Sequence, residues 1–451
     1  MLPALSKIYE RAIHNQIYEY FTANSLFTNC QYGFRTQSST EDAILDFQDK
    51  IKSLLDQRQI PFSVFLDLSK AFDTIDHSIL LTKLDHYGFS HNALALLRSY
   101  LAERKQYVFL DDISSVELPV EVGVPQGSIL GPLLFIIYVN DITASSKNLH
   151  FILFADDTSL FNSFAAFTSN NQTNFDQINI ELDQVYDWLC TNKLSLNVSK
   201  TKFMVFDNKL SHSTAPNFKN KLKINNTPLK EAKTFNFLGI TIDSALNWHA
   251  QVKKINSQIS RTLGVINKLK RIAPPSVLKT LYNTLINQKL SYGIRAWGLN
   301  HAKVFKIQKK AIRAITASKY NAHTDPLFKQ LNLLKVEDIF KQNCLVLHYK
   351  IERNIAPQHI RDLITRNHDI HNHATRNYTI RIPTANFVTH SDCLRYYLPK
   401  LINELPSELL VNIFRWSLPT FKKHLKQFFI QQYSSVCFRP DCVVCGRNVL
   451  R

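Results

Sequence analysis

The amino-acid sequence predicts an α+β fold up to about residue 243 and an all-helical fold beyond it. Residues 151–161 read FILFADDTSLF, in which apolar residues flank two adjacent acids and predict a β-hairpin with Asp156 and Asp157 at its tip. Residues 63–81 predict a buried strand that ends in Asp67 and is followed by helical spacing. Beyond the first half, apolar residues recur every three or four positions, which is typical of packed helices.

The segments before the first acidic strand predict two helices joined by a polar loop. The first helix is indicated by the apolar repeat of Leu5, Ile8, Tyr9, Ile13, Ile17 and Tyr18. Residues 31–40 form the loop, and Thr40 is expected to be the N-cap of the second helix, with Glu41 and Asp42 in its first turn.

The segments after Asp67 alternate between turns and short regular elements. Asp73 and Asp76 fall at a predicted helix start, where acids ordinarily interact with the helix dipole. A hairpin is expected around the turn Asp111-Asp112, and residues 123–135 contain three glycines and two prolines, which predict an irregular loop before a helix.

Asp67, Asp156 and Asp157 are candidates for a metal site. Ionised carboxylates held side by side at strand ends repel one another and lose hydration, so their proximity is favourable when cations bind there. Hard oxygen ligands of this kind suit Mg²⁺ or Mn²⁺. For the Asp-Asp pair alone a plain surface turn is the competing interpretation.

The order of several motifs resembles that of reverse transcriptases, in particular the enzymes of jockey-like non-LTR retrotransposons (LINE-type). The matching stretches are QYGFRTQSST at 31–40, FLDLSKAFD at 65–73, GVPQGSILGPLLF at 123–135, FADD at 154–157, SLNVSKTKFMVF at 195–206 and FLGITID at 237–243. The family's basic strand before the first helix is missing, so the resemblance predicts a chain that is truncated at its N-terminus.

The resemblance implies a right-hand polymerase. Fingers and a palm with an antiparallel sheet are expected over 1–243, a helical thumb over 244–350, and a helical C-terminal region over 351–451. The implied activity is RNA-directed DNA polymerisation with two Mg²⁺ or Mn²⁺ ions. The implied partners are an RNA template, a DNA primer or target, and deoxynucleoside triphosphates.

Particular residues take implied roles from the motifs that they occupy. The metal ligands and catalytic residues are expected to be Asp67, Asp156 and Asp157, and the nucleotide-binding residues Phe72, Gln126, Gly127, Arg35 and Lys200. Phe72 is expected to exclude a ribose 2′-hydroxyl, although Phe residues on apolar faces are usually core. Arg35 is expected at a phosphate or in a structural salt bridge. Lys200 is expected to protonate the departing pyrophosphate, but Lys202 lies close by, and both lysines could simply be solvated.

Charge and composition favour a nucleic-acid-binding, intracellular protein. Residues 245–350 hold 19 Lys and Arg against 3 Asp and Glu, which suits contact with a phosphate backbone. The longest apolar stretch is broken by Gly131-Pro132, and the N-terminus lacks a basic head before an apolar core, so neither a membrane span nor secretion is expected. Seven cysteines suit reduced thiols, and nucleus or cytoplasm is the expected location.

The C-terminal tail contains a candidate zinc site. Cys437, Cys442 and Cys445 have C-x4-C-x2-C spacing, and His424 is the nearest upstream fourth ligand, but no fourth ligand follows. His368, His371 and His373 form a second cluster, for which a solvated loop is the favoured interpretation.

Two other functions compete with reverse transcription. An RNA-dependent RNA polymerase shares the palm and differs at Phe72, and a transposon remnant would bind nucleic acid without catalysis.

Overall fold

The computed structural model describes residues 4–165, 171–206, 218, 220–366, 380–383 and 393–434. The chain divides into two compact units, one formed by residues 1–43 and 58–233, the other by residues 44–57 and 234–451. As predicted, the first half combines helices with a sheet and the remainder is mainly helical.

The first unit is built around a five-stranded sheet. Its helices are α1 (Ala4–Ala23), the first turn of α2 (Thr40–Asp56), α3 (His77–His86), α4 (His91–Leu101), α5 (Gly131–Tyr138) and α6 (Asn171–Thr191). Its strands are β1 (Gln59–Leu66), β2 (Leu68–Ser69), β3 (Lys105–Gln106), β4 (Phe109–Leu110), β5 (Ile113–Ser114), β6 (Leu118–Pro119), β7 (His150–Phe154), β8 (Asp157–Ala165), β9 (Ser195–Leu196), β10 (Lys202–Val205), β11 (Lys223–Ile224), β12 (Thr227–Pro228) and β13 (Lys230–Glu231). The sheet order is β13-β10-β1-β8-β7, and all neighbours are antiparallel except β10 and β13.

Burial explains why β1 lies at the centre of this sheet. Seven of its eight residues are buried, as expected for a strand covered on both faces. Seven of the eight residues of helix α5 are also buried, because its sequence GPLLFIIY is apolar on every side. Together with α1 and α6 these elements enclose one hydrophobic core.

Two helix starts differ from the sequence predictions. Helix α2 is capped by Ser39, one residue before the predicted Thr40, because the Ser39 hydroxyl oxygen accepts the Asp42 N–H at 3.3 Å. Asp73 ends a short 3₁₀ turn and does not start a helix, whereas Asp76 is the N-cap of α3 and accepts the Ile79 N–H.

The environment of Asp76 explains its structural role. Burial alone would raise the pKa of its carboxyl, but hydrogen bonds from Lys193, Ser78 and the Ile79 amide hold that pKa well below its usual range. The Lys193 ammonium lies 2.6 Å from the carboxylate. Asp76 therefore joins the start of α3 to Lys193, two residues after the end of α6.

The second unit consists of helices and one hairpin. Its elements are β14 (Thr234–Phe237), β15 (Ile240–Asp243), α7 (His249–Leu269), α8 (Pro275–Leu281), a π-helical turn (Tyr282–Asn287), α9 (Gln288–Ser291), α10 (Ile294–Trp297), α11 (Ala302–Ile315), α12 (Asp325–Leu331), α13 (Val336–Glu352), α14 (Gln358–Arg361), α15 (Leu394–Asn403), α16 (Ser407–Val411) and α17 (Leu418–Gln431). Most of α2 belongs here because Phe47 packs on Phe237 and Asp49 pairs with Arg395 at 2.6 Å. None of the helices in the described ranges is long and apolar enough to cross a membrane.

Candidate active site

The sheet brings the three predicted acids to one edge. Strands β7 and β8 pair through Phe154 and Asp157, so Ala155 and Asp156 form a two-residue turn. Ala155 has φ 56°, the left-handed conformation that such a tight hairpin turn needs at its first position. On the other side of β8, Leu66 pairs with Thr158, and the next step of that register places Asp67 beside Asp157.

The electrostatics of Asp157 are consistent with this proximity. Partial shielding from water raises the pKa of its carboxyl, and the negative charges of Asp156 and Asp67 raise it further. Both residues of the Asp-Asp pair remain open to solvent. The arrangement thus holds repelling carboxylates where a cation could reach them.

The three carboxylates fit a metal ion by their chemistry, although they do not form a closed cage. Within the ranges that the structure covers, no three His, Cys, Asp or Glu side chains are grouped closely enough to hold an ion by themselves. Mg²⁺ in phosphoryl-transfer sites commonly takes one or two carboxylates and completes its octahedron with water and substrate phosphates. An open acidic edge is compatible with that kind of site.

The backbone of Asp67 is fixed by the loop that carries Lys200. The Asn197 N–H donates to the Asp67 carbonyl at 2.9 Å, and the Asp67 N–H donates to the buried Thr201 hydroxyl at 3.4 Å. Strand β2 then pairs with β9 through Leu68 and Leu196. The Lys200 and Lys202 side chains are both exposed, so the geometry does not choose between them.

Phe72 lies between two other aromatic rings near this edge. Its ring stacks on Phe135 with centroids 4.3 Å apart, and Phe34 meets it edge-on at 6.2 Å. Its carbonyl accepts the Val124 N–H at 3.1 Å. Phe72 is half-buried, so it packs on the core and also keeps part of its ring accessible, and the two interpretations of this residue are compatible.

The glycine-rich loop before α5 packs its backbone against the segment after Phe72. A Cβ on Gly123 would lie 2.8 Å from the Asp73 carbonyl oxygen, and Gly123 has a φ of 85°. Both the close approach and the positive φ therefore require glycine at this position. The Gln126 amide donates to the Asp73 carboxylate at 3.0 Å. Gly127 has φ 79°, and no atom of the described residues lies within 4 Å of the position that a Cβ would take.

Arg35 is directed inward. Its guanidinium donates to the Thr28 carbonyl at 2.9 Å and lies 4.6 Å from the centre of the Phe27 ring. In this placement it stabilises the loop itself, and contact with a phosphate stays a prediction.

Three residues near the site were not singled out from the sequence. Glu10 on α1 is 1% exposed, and its carboxylate accepts the Ile129 N–H at 2.6 Å and the Leu130 N–H at 3.4 Å, directly before α5. Gln31 and Phe34 lie in the polar loop. Of these three, only Glu10 could have been noticed in the sequence, because it is an acidic residue on the apolar face of α1 that also carries Ile13 and Ile17.

The candidate zinc ligands cannot be placed. Cys437, Cys442 and Cys445, like His368, His371 and His373, lie outside the described residues. His424 lies in α17 and stacks on Trp416 with ring centroids 4.0 Å apart. Zinc binding stays a prediction.

A mainly antiparallel sheet that presents acids at adjacent strand ends, beside an aromatic ring and a glycine-rich loop, is the arrangement of a polymerase palm. The family model described as reverse transcriptase (RNA-dependent DNA polymerase) matches residues 1–242. The chain belongs to the reverse transcriptase family, whose members depend on divalent metal ions.

The curated relatives that match the chain are retrotransposon proteins. The chain is 26% identical over 369 residues to the probable RNA-directed DNA polymerase from transposon X-element of Drosophila melanogaster, covering 78% of this chain. It is 25% identical over 376 residues to the RNA-directed DNA polymerase from mobile element jockey of the same organism, covering 79% of this chain. In both cases the match spans 39% of the relative's own length.

Among solved structures, apo telomerase from Candida tropicalis aligns with a TM-score of 0.41 and 12% identity, over 73% of this chain and 55% of that one. A likeness at this level supports no conclusion about the chain.

Proposed function

We propose that the chain is an RNA-directed DNA polymerase of a non-LTR retrotransposon, which adds deoxynucleotides to a DNA 3′ end on an RNA template. The observation that supports this best is the register of β1 and β8, which puts Asp67 beside Asp157 and next to the Asp156 turn. The match to retrotransposon polymerases over more than three quarters of the chain supports the same proposal.

Each site residue has a distinct part in this proposal. Asp67, Asp156 and Asp157 supply the oxygens that hold two divalent ions, Mg²⁺ or Mn²⁺. When bound, such ions activate the attacking hydroxyl and neutralise the leaving phosphates. The accessible edge of Phe72 excludes a 2′-hydroxyl, which favours deoxynucleotides over ribonucleotides.

The remaining nucleotide contacts come from the two loops beside the acids. Gln126 and the open backbone of Gly127 border the position of the new base pair. Lys200 gives a proton to the departing pyrophosphate, a general-acid step that requires the lysine to reach the leaving oxygen. The exposure of its side chain is consistent with that reach.

Contact with the nucleic-acid backbone is assigned to the second unit. Helix α11 buries Val304, Ala311 and Ile312 and leaves Lys303, Lys306 and Lys310 exposed. Exposed basic residues on α7 and at its C-cap add Lys253, Arg261, Lys268 and Lys270. Such a basic surface suits sequence-independent phosphate contacts with an RNA–DNA duplex.

The domain boundaries follow from these roles. We assign 1–243 to fingers and palm, 244–350 to the thumb and 351–451 to a helical C-terminal region. RNA template and DNA primer or target would be bound inside the cell, in the nucleus or cytoplasm.

Primer extension on an RNA template tests the proposal. The unmodified chain should add deoxynucleotides in the presence of Mg²⁺, and Asp156→Asn should lower kcat by at least about a hundredfold, since removing one group that stabilises transition-state charge commonly costs that much. Asp187→Asn makes the same chemical change at an exposed residue of α6 and should leave kcat unchanged.

Two results would contradict the assignment. Retained duplex binding with no extension by the unmodified chain would indicate a binding protein. Preferential incorporation of ribonucleotides would indicate an RNA polymerase.

A further inference from the structure

The loop before α2 contacts the turn that carries Asp156. The Tyr32 N–H donates to the Leu153 carbonyl at 2.8 Å, and the Leu153 N–H donates to the Cys30 carbonyl at 2.9 Å. Gln31 thereby forms a parallel bridge with Leu153 at the edge of β7. The catalytic hairpin is therefore extended by one further short strand segment.

The side chain of Gln31 closes this contact at the turn itself. It is 3% exposed, and its Oε1 accepts the Gly33 N–H at 2.7 Å and the Ala155 N–H at 3.2 Å. Ala155 is the residue with positive φ that directly precedes Asp156. One amide oxygen thus joins the loop to the strained position of the turn.

Gly33 shows how closely the two backbones approach. A Cβ on this residue would lie 2.3 Å from the Ala155 nitrogen and 3.0 Å from the Phe154 carbonyl carbon. Both are backbone atoms, which cannot give way as a flexible side chain can. The loop and the turn consequently behave as one packed unit.

We propose that Gln31 is a positioning residue for the catalytic carboxylates: its amide oxygen fixes the Ala155-Asp156 turn and so sets where Asp156 and Asp157 point. This inference rests on the proposed function. A turn held at its left-handed residue keeps the acids in register, whereas a free turn lets them separate under their mutual repulsion. Positional errors of about 1 Å at reacting groups commonly cost about a hundredfold in rate.

The chain offers variants that separate positioning from general stability. Gln31→Met keeps the volume of the side chain and removes the acceptor oxygen. The matched control is Gln48→Met, the same change at a glutamine of α2 that is 5% exposed and whose Oε1 accepts no hydrogen bond within the described residues.

Steady-state primer extension at saturating Mg²⁺ is the first test. Gln31→Met should lower kcat by about ten- to a hundredfold and leave the KM for deoxynucleotide within about twofold, because the groups that contact the nucleotide are untouched. Gln48→Met should keep the kcat of the unmodified chain. An unchanged kcat in Gln31→Met, or an equal loss in Gln48→Met, would overturn the proposal.

Hydrogen exchange gives a readout that does not need activity. The Ala155 amide should exchange at least about tenfold faster in Gln31→Met than in the unmodified chain, but not in Gln48→Met. If the unmodified chain fails to extend a primer, this measurement still decides the role of Gln31. Unchanged exchange at Ala155 in Gln31→Met would refute it.

Discussion

Replacing Glu10 by alanine tests whether a buried carboxylate on α1 holds the start of α5. The change leaves the Ile129 and Leu130 N–H groups without their acceptor, and Tyr100 loses a hydrogen-bond partner at 3.2 Å. A buried donor left unpaired costs about 1–3 kcal/mol, so two such amides predict a loss of about 3 kcal/mol in the free energy of unfolding. Glu10→Gln keeps one oxygen and should cost about half as much.

Chemical denaturation with a matched control measures this effect. Glu19 lies on the same helix and is exposed, so Glu19→Ala should change the free energy of unfolding by less than about 0.5 kcal/mol. Because α5 follows the loop that borders Phe72, Glu10→Gln should also raise the KM for deoxynucleotide. A loss below about 1 kcal/mol in Glu10→Ala would refute the capping role, since a single unpaired buried amide already costs that much.

Three further perturbations address the site and the second unit. Phe72→Val should reduce the preference for deoxynucleotides over ribonucleotides at least about tenfold, which is equivalent to about 1.4 kcal/mol. The preference is measured as the ratio of the two kcat/KM values. An unchanged ratio would mean that Phe72 is only a core residue. Asp157→Asn should raise the Tm of the metal-free chain at pH 7.5, because the raised pKa of the Asp157 carboxyl means that its ionisation destabilises the fold as pH rises. The same substitution should reduce the increase in Tm that Mg²⁺ causes. Equal Tm values with and without the substitution would contradict this prediction. Burial and the charge of Arg366 lower the pKa of His348 to about 4, although the charge of Glu352 acts in the opposite direction. The neutral form of His348 therefore contributes stability that is complete above about pH 6.5 and is lost as the pH falls towards 4. That shift corresponds to about 3 kcal/mol, and His348→Leu should flatten the unfolding free energy between pH 7 and 4.5; an unaltered slope would exclude His348 as the source.

Local patterns were sufficient for the elements that bear the acids. The apolar runs around Asp156 predicted the β7–β8 hairpin, and the run before Asp67 predicted β1, because each strand buries residues that are adjacent in sequence. The choice between Ser39 and Thr40 as helix cap was beyond such patterns, since both side chains can accept the same N–H and backbone conformation decides between them.

Contacts across long sequence separations account for the rest. Glu10 meets Ile129, and Gln31 meets Ala155, each more than a hundred residues away along the chain. Periodicity predicts which face of a helix or strand is buried, but not which polar group on another element forms a hydrogen bond with a buried polar residue on that face. Arg35 illustrates the same limit, because its Thr28 and Phe27 partners form only once the loop folds back on itself.

Two hydrogen bonds connect the backbone of Asp67 to residues 197–201, the loop that carries Lys200. A displacement of residues 197–201 must carry the Asp67 backbone with it or break the bonds to Asn197 and Thr201. In the proposed reaction, the approach of Lys200 to the departing pyrophosphate and the alignment of the Asp67 carboxylate would therefore be coupled.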